Sequence, residues 1–328
     1  MPARTQTPGR TTTGHPLEQR WPRLKRNLLR PIAPVALRVG QGRAPLWLRE
    51  LALEKAALPY LRARDDEFER RIEEGVFVGH TTDLLSLYVL AFGVWEPYLS
   101  SFVRDRLHEG DVFVDVGANC GWYTLLGARQ VGPSGTVIAV EPSAAIIERL
   151  RRQLERNRLD NVRVVEEAVS DHVGRVAIEP GPAEHTGLTR AIEESQAPES
   201  VPCRPLPQMM GASEWARVRL MKIDVEGAEF VAVQGIADRL PGLPPDAEII
   251  VEVGPERARD PAEMQALFKV FDASGFHPYA IPNGYEVHDY LTYQPVDSFP
   301  RAEAAEIVEE TNIVFSRVDE AALRLRQG

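Results

Sequence analysis

The chain has 328 residues, enough for one large domain or two small ones at roughly 100–200 residues each. With 44% hydrophobic and 26% charged residues it is globular in composition, which excludes disordered, collagen-like and coiled-coil proteins. No apolar run reaches the ~18 residues that a membrane span needs, and two cysteines form no disulfide framework. The first residues lack a secretory signal pattern. We therefore expect a cytoplasmic protein without integral membrane association.

Charge is unevenly distributed along the chain. Residues 1–50 carry ten basic and two acidic residues, so a net charge of −10 leaves −18 on the remainder. Such an acidic body is poorly suited to neutralising phosphates, and we expect no nucleic-acid partner. Residues 1–45 are rich in proline and lack periodicity, which predicts a flexible basic segment.

Helices are expected next. Apolar residues recur at helical spacing from Trp47 to Arg64, with a kink at Pro59, and a further helix is predicted over Asp83–Phe92. Residues 46–110 are therefore expected to form a helical extension or lid.

From residue 111 onwards, short apolar strands alternate with amphipathic helices. This pattern predicts an α/β fold, a mostly parallel Rossmann-like sheet with helices on both faces, over residues 111–318, followed by a tail at 319–328. Residues 181–205 interrupt the pattern. The expected elements are strands Val112–Val116, Thr136–Val140, Val162–Val165, Val218–Val225, Glu248–Val253, His277–Ile281 and Asn312–Phe315, and helices Trp122–Val131, Ser143–Asn157, Ala228–Arg239 and Pro261–Ser274.

A glycine turn follows the first of these strands, where open α/β sheets bind ligands. Gly117 and Gly121 would let the backbone approach a ligand, but Asn119 replaces the central glycine of a dinucleotide motif. Asp115 at the strand tip would repel phosphate and attract a cation, and Glu141 after the next strand would accept hydrogen bonds from a ribose. Together these residues predict binding of S-adenosylmethionine, with a nicotinamide dinucleotide as the alternative ligand.

Five motifs resemble the FkbM-type methyltransferases: Trp95-Glu-Pro97, Asp115-Val-Gly-Ala-Asn-Cys-Gly-Trp-Tyr-Thr124, Val140-Glu-Pro142, Lys222-Ile-Asp-Val-Glu-Gly-Ala-Glu229 and Asn312-Ile-Val-Phe315. The resemblance implies a class I methyltransferase fold, S-adenosylmethionine as donor, and O-methylation of a small molecule such as a natural product or a sugar. Class I methyltransferases also commonly place an acidic residue against the adenine amino group, a position that Glu167 would fill here.

Charged residues at two further strand ends supply the candidate chemistry. Lys222 and Asp224 share one strand face, so they either pair or Asp224 faces the donor or the acceptor. Glu252 would lie close to Asp224 if their strands are neighbours. Such carboxylates could hold Mg²⁺, share a proton so that one acts as general base, or leave Glu252 a structural role. His185, in the irregular segment, is a further candidate base.

The sequence therefore predicts a methyltransferase that acts on a small-molecule hydroxyl, although the strand-tip residues alone leave N-methylation open. A non-enzymatic cofactor-binding scaffold is the first alternative, and a nicotinamide-dependent oxidoreductase is the second. Oligomeric state stays open, with a homodimer as one option.

Overall fold

The computed structural model describes residues 28–179, 190–192, 199–255 and 261–325. The chain divides into a small N-terminal unit, Met1–Asp65, and a large unit, Asp66–Gly328. None of the described helices is both long and apolar enough to cross a membrane.

The N-terminal unit is helical where it is described. Helix α1 lies within the segment that was expected to be flexible. Its buried Gly40 lies against Leu53, where a β-carbon would collide with the leucine side chain. Pro59 cannot donate to the carbonyl one turn before it, and a π-helical turn at Leu53–Ala57 precedes it. The helices are α1 (Ala33–Gln41), α2 (Leu46–Ala52) and α3 (Leu58–Arg62).

An antiparallel hairpin, β1 (Glu67–Ile72) and β2 (Gly75–His80), opens the large unit, within the region expected to be helical. Exposed and half-buried residues alternate along β1, as in a strand with one face in solvent. Helices α4 (Leu84–Phe92) and α5 (Pro97–Arg106) follow. The helix predicted at 83–92 is confirmed: the Asp83 carboxylate accepts a hydrogen bond from the Ser86 N–H, and Gly93 ends it.

Seven strands form the central sheet in the order β12–β14–β11–β10–β3–β4–β5. All pairs are parallel except those made by β14, which is antiparallel to β11 and β12. This arrangement confirms the predicted mostly parallel sheet. Its strands are β3 (Val112–Val116), β4 (Thr136–Val140), β5 (Val162–Val165), β10 (Val218–Ile223), β11 (Glu248–Val253), β12 (His277–Ile281) and β14 (Thr311–Ser316).

Helices connect these strands. The helix predicted over 228–239 is shorter and is followed by a 3₁₀ helix, Ala237–Gly242, that contains Pro241. The α-helices are α6 (Trp122–Val131), α7 (Ala144–Asn157), α8 (Leu206–Met209), α9 (Ala212–Trp215), α10 (Glu229–Gln234), α11 (Pro261–Asp272) and α12 (Val287–Thr292), and a second 3₁₀ helix is Ala304–Glu306.

The segment between β5 and β10 adds a smaller sheet in the order β6–β9–β7–β8. It contains β6 (Ala168–Val169), β7 (Gly174–Glu179), β8 (Arg190–Ile192) and β9 (Glu199–Arg204). A two-stranded sheet pairs β13 (Ser298–Pro300) with β15 (Ala322–Arg324).

The chain reverses its direction of strand addition at β3, which has β4 on one side and β10 on the other. Asp115 of β3 is in register with Ala139 of β4 and Lys222 of β10. Loops at the carboxyl ends of these strands diverge to opposite faces of the sheet, which opens a crevice there. The topology therefore places the glycine turn and the charged strand tips at one site.

Candidate active site

A cavity of about 900 Å³ lies at the carboxyl ends of β3, β4, β10 and β11. Nine Asp or Glu residues and one lysine, Lys222, are among the described residues that line it. Carboxylates thus far outnumber cationic groups among the charged side chains of an otherwise largely apolar lining, and the resulting negative potential favours a ligand that carries positive charge.

The two glycines of the turn after β3 are required by packing within the protein. Gly117 has φ +80°, and a β-carbon there would collide with the Asp224 carbonyl oxygen. Gly121 has φ +91°, and its β-carbon would lie 2.6 Å from Leu150 Cδ1. Both conformations favour glycine strongly. The turn is therefore held tightly against its neighbours at the floor of the cavity, which Gly117 also lines.

Glu141 is fixed in one orientation by backbone donors. Its Oε2 accepts a hydrogen bond from the Asn119 N–H at 3.1 Å, and its Oε1 accepts one from the Ser143 N–H at 2.9 Å. Asn119 has φ +49°, and its side-chain Oδ1 accepts from the Cys120 N–H at 2.7 Å. Glu141 and Asn119 both line the cavity. The turn thus presents an oriented carboxylate at the place where a ribose acceptor was predicted.

Burial raises the pKa of Glu141 to about 7, and its two backbone hydrogen bonds oppose that rise only in part. The folded protein therefore holds this proton at pH values where the unfolded chain, with a glutamate pKa of about 4.3, has lost it. The contribution of Glu141 to the free energy of unfolding should consequently fall as pH rises from about 4.5 to 7 and then level off.

In the Glu141→Gln variant this contribution to the pH dependence is removed. From pH 5 to pH 8, the difference in free energy of unfolding between variant and wild type should move in favour of the variant by roughly 2 kcal/mol. Urea unfolding followed by circular dichroism at both pH values measures it. An unchanged difference would show that Glu141 titrates normally.

Asp115 lies below the cavity and is not among the residues that line it. Its Oδ2 accepts a hydrogen bond from Thr124 Oγ1 at 2.6 Å, whereas its buried Oδ1 has no hydrogen-bond partner among the described residues. Burial raises the pKa of Asp115, although the neighbouring Lys222 ammonium opposes that rise. The residue predicted to attract a cationic ligand therefore has the Lys222 ammonium as a charged neighbour.

Lys222 and Asp224 form the predicted pair, and Asp224 also lines the cavity. Lys222 Nζ donates to Asp224 Oδ2 at 2.7 Å and lies 4.9 Å from the centre of the Tyr123 ring. Burial lowers the pKa of Lys222, but Asp224, Glu96 and Asp115 raise it more, so the net pKa lies above its usual value. Asp224 keeps a quarter of its side chain exposed and lines the cavity.

The Glu229 carboxylate, at the start of the next helix, fixes the loop after β10. Glu229, buried at the start of α10, accepts hydrogen bonds from the Val225 N–H at 3.1 Å and from the Gly227 N–H at 2.9 Å. These bonds hold the backbone on the carboxyl side of Asp224 in one conformation.

Glu252 belongs to a polar network with Asn283 and Tyr285. Its strand β11 is the neighbour of β10, which is the condition that the predicted proximity to Asp224 required. The Tyr285 hydroxyl lies 3.1 Å from Glu252 Oε1 and 2.9 Å from Glu96 Oε1. Asn283 Nδ2 donates to the Tyr285 hydroxyl at 2.7 Å. Tyr123 donates to Glu96 Oε2 at 2.5 Å.

Glu96 and Tyr285 are two site residues that the sequence interpretation missed. Glu96 is buried, has φ +41° and lines the cavity, as Tyr285 does. A non-glycine residue in this conformation is uncommon and often marks a functional position. The Trp95-Glu96-Pro97 motif was the available signal, but it carried no role for the glutamate.

The alternative of a Mg²⁺ site gains no support from this geometry. Within the described ranges, no three or more His, Cys, Asp or Glu side chains are grouped so that they could hold a metal ion. The Lys222 ammonium already lies against the Asp224 carboxylate. The residues present therefore do not fit a divalent cation.

Two other predicted site residues remain. Glu167 lines the cavity, and its two carboxylate oxygens each lie 2.8 Å from a guanidinium nitrogen of Arg204. His185 lies outside the described residues.

Comparison with known proteins gives short matches to curated methyltransferases. Protein-L-isoaspartate O-methyltransferase of Methanothrix thermoacetophila is 38% identical over 71 residues, which are 21% of this chain and 34% of that protein. Demethylmenaquinone methyltransferase of Symbiobacterium thermophilum is 39% identical over 67 residues, which are 20% of this chain and 27% of that protein. The chain thus spans about a third or less of the length of these relatives.

Solved structures give longer but weaker matches. An S-adenosylmethionine-dependent O-methyltransferase of Thermotoga maritima is 14% identical, with 77% of this chain and 78% of that chain covered and a TM-score of 0.39. Aeropyrum pernix fibrillarin, solved with natively bound S-adenosyl-L-methionine, is 11% identical, with 76% and 82% covered and a TM-score of 0.37.

A match to a family covers more of the chain than the matches to these two curated relatives. The methyltransferase FkbM domain matches residues 115–278, which is half of the chain. That range begins at Asp115 and contains the glycine turn, Glu141, the Lys222–Asp224 pair and Glu252. The chain belongs to the FkbM family of methyltransferases.

Proposed function

We propose that this protein transfers a methyl group from S-adenosylmethionine to a hydroxyl oxygen of a small molecule. The observation that carries the proposal is the acidic cavity at the sheet's switch point, with the Glu141 carboxylate fixed by two backbone donors at its edge. When bound, S-adenosylmethionine supplies a methyl group activated by a positively charged sulfonium.

The residues present fit that donor. Glu141 has the position and the fixed orientation to accept hydrogen bonds from both ribose hydroxyls. Glu167, held by Arg204, is suited to accept from the adenine amino group. Asp224 and the other lining carboxylates provide the negative potential for a cationic tail. Asp115, below the cavity, supports the site through Lys222.

On the acceptor side, the network around Tyr285 offers a route for the hydroxyl proton. Glu252 lines the cavity and would take that proton as general base. The Tyr285 hydroxyl has one hydrogen and two carboxylate neighbours, Glu252 and Glu96, so it can donate to only one of them at a time. Proton movement through this hydroxyl would spread the charge change over both carboxylates.

Calorimetric titration of the protein with S-adenosylmethionine tests the donor assignment. At pH 8, where Glu141 is ionised, we expect saturable one-to-one binding, weakened at least about ten-fold by Glu141→Ala, because a charge-assisted pair of hydrogen bonds to the ribose contributes ~1.5–3 kcal/mol. Glu148→Ala is the matched control, since Glu148 is exposed on the adjacent helix α7. Well-folded protein that binds neither S-adenosylmethionine nor its demethylated product would contradict the proposal.

Titration with NADH and an assay for the demethylated product separate the alternatives. Binding of NADH in place of S-adenosylmethionine would identify an oxidoreductase. Binding of the donor without release of demethylated product, across a panel of hydroxylated and aminated small molecules, would favour the cofactor-binding scaffold. A product methylated at nitrogen would retain the methyltransferase but overturn the hydroxyl acceptor.

A further inference from the structure

Exposed apolar side chains are concentrated in the N-terminal unit. Nine large hydrophobic residues are exposed in the described part of the chain, and six of them fall within residues 28–51. We call these six the N-terminal apolar set: Leu28, Ile32, Val35, Leu46, Trp47 and Leu51. Trp47 is 65% exposed, which is unusual for a side chain of that size. Exposed apolar surface at this density marks an interaction site.

The residues of the N-terminal apolar set lie in or just before helices α1 and α2, on positions that face solvent. The buried positions of α1 are the small residues Ala33, Ala36 and Gly40. Helix α2 has no fully buried residue, although Leu53, immediately after it, is buried. Helix α1 therefore buries small side chains, while the large side chains of the N-terminal apolar set stay in solvent, which burial of apolar surface alone does not favour.

Basic residues are interspersed with the apolar set. Residues 28–51 contain four arginines and one acid, Glu50, within a chain whose net charge is −10. Arg30, Arg38 and Arg43 are exposed, whereas Arg49 is half-buried and donates to the Gly40 carbonyl at 3.0 Å. The segment that carries the N-terminal apolar set is thus positively charged in an otherwise acidic chain.

We propose that residues 28–51 bind the surface of an anionic lipid bilayer. Helices that lie in a membrane interface combine apolar side chains, tryptophan among them, with arginine or lysine near the headgroups. Nucleic acid would pair with the arginines but would leave the N-terminal apolar set in water. A second copy of the chain would bring two positively charged surfaces together. The lipid surface is the partner that satisfies both the apolar and the charged residues.

Vesicle sedimentation with the full-length protein tests the proposal. We expect binding to vesicles that contain 30% phosphatidylglycerol and little binding to pure phosphatidylcholine, with a decline as salt rises. Trp47→Ser/Leu51→Ser should weaken binding at least about ten-fold, and each of Arg38→Gln and Arg43→Gln about five-fold. Val308→Ser is the matched control, because Val308 is 81% exposed but lies in the large unit.

A second measurement shows whether Trp47 enters the lipid. Vesicles with brominated acyl chains should quench part of the tryptophan fluorescence, and Trp47→Phe should retain binding but lose that part of the quenching. Variants must keep the wild-type circular dichroism spectrum and thermal midpoint. Three results would overturn the proposal: equal binding of the double variant and wild type, binding to duplex DNA but not to vesicles, or a dimer that depends on the apolar set and ignores vesicles.

Discussion

Replacement of Lys222 by methionine should lower the free energy of unfolding by about 3–5 kcal/mol at pH 7, since the variant buries carboxylates without their counter-charge. Lys222 is 2% exposed, is hydrogen-bonded to Asp224 and is in register with Asp115. Glu96 is a third carboxylate that interacts electrostatically with the same ammonium group. Methionine fills a similar volume, so the lost charge rather than a cavity causes the change.

The pH dependence and a double variant identify the cause. Without the ammonium, the pKa of Asp115 rises further, so the deficit should shrink as pH falls from 8 to 5 and this carboxylate protonates. Lys222→Met/Asp224→Asn should be more stable than Lys222→Met alone, because one of the uncompensated charges has gone. Urea unfolding measures all three proteins. A deficit that is the same at both pH values and in both variants would indicate that packing, not charge, is lost.

Glu252→Gln should reduce methyl transfer by about 10²–10⁴-fold, the range that a positioned general base contributes. Glutamine can still accept the hydrogen bonds from Asn283 and Tyr285, so the network keeps its geometry while it loses the basic group. Affinity for S-adenosylmethionine should stay within a factor of about three. The readout is demethylated product formed per enzyme in a single turnover, with an acceptor found in the panel screen.

Tyr285→Phe is the matched comparison for that prediction. It removes the hydroxyl that joins Glu252 to Glu96 but leaves the ring stacked on Trp95, whose centre is 5.2 Å away. We expect a smaller loss, about ten-fold, with a shifted pH–rate profile. If Glu252→Gln retains full turnover, the acceptor proton leaves by another route and the assignment of Glu252 is wrong.

The central sheet could be predicted closely from the sequence because its inner strands are buried on both faces. Val112–Val116, Thr136–Val140 and Glu248–Val253 have the predicted bounds. Continuous apolar runs between turn residues give sharp limits of this kind. The β1–β2 hairpin was not predicted, since Arg70 and Arg71 make its first strand too polar to stand out from the surrounding helical pattern.

In the candidate site, too, some contacts could be predicted from the sequence and others could not. Lys222 and Asp224 are two residues apart, so strand geometry alone brings them together. Glu96 and Tyr285 are 189 residues apart, and only the completed fold places one on the other. Tyr285 lies in a loop without periodicity, where a sequence pattern offers no distance information. Contacts between residues on strand ends were accordingly easier to predict than contacts made by loop residues.

The collision that a β-carbon at Gly117 would cause with the Asp224 carbonyl has a consequence for engineering this enzyme class. A change that moves the Asp224 carbonyl towards Gly117 would displace the turn whose Asn119 N–H donates to Glu141. Libraries intended to change acceptor preference should therefore leave residues 117–121 and 224–229 intact. If the proposed assignment holds, diversity introduced around Asn283 and Tyr285 would alter the acceptor side and leave the residues proposed for donor binding unchanged.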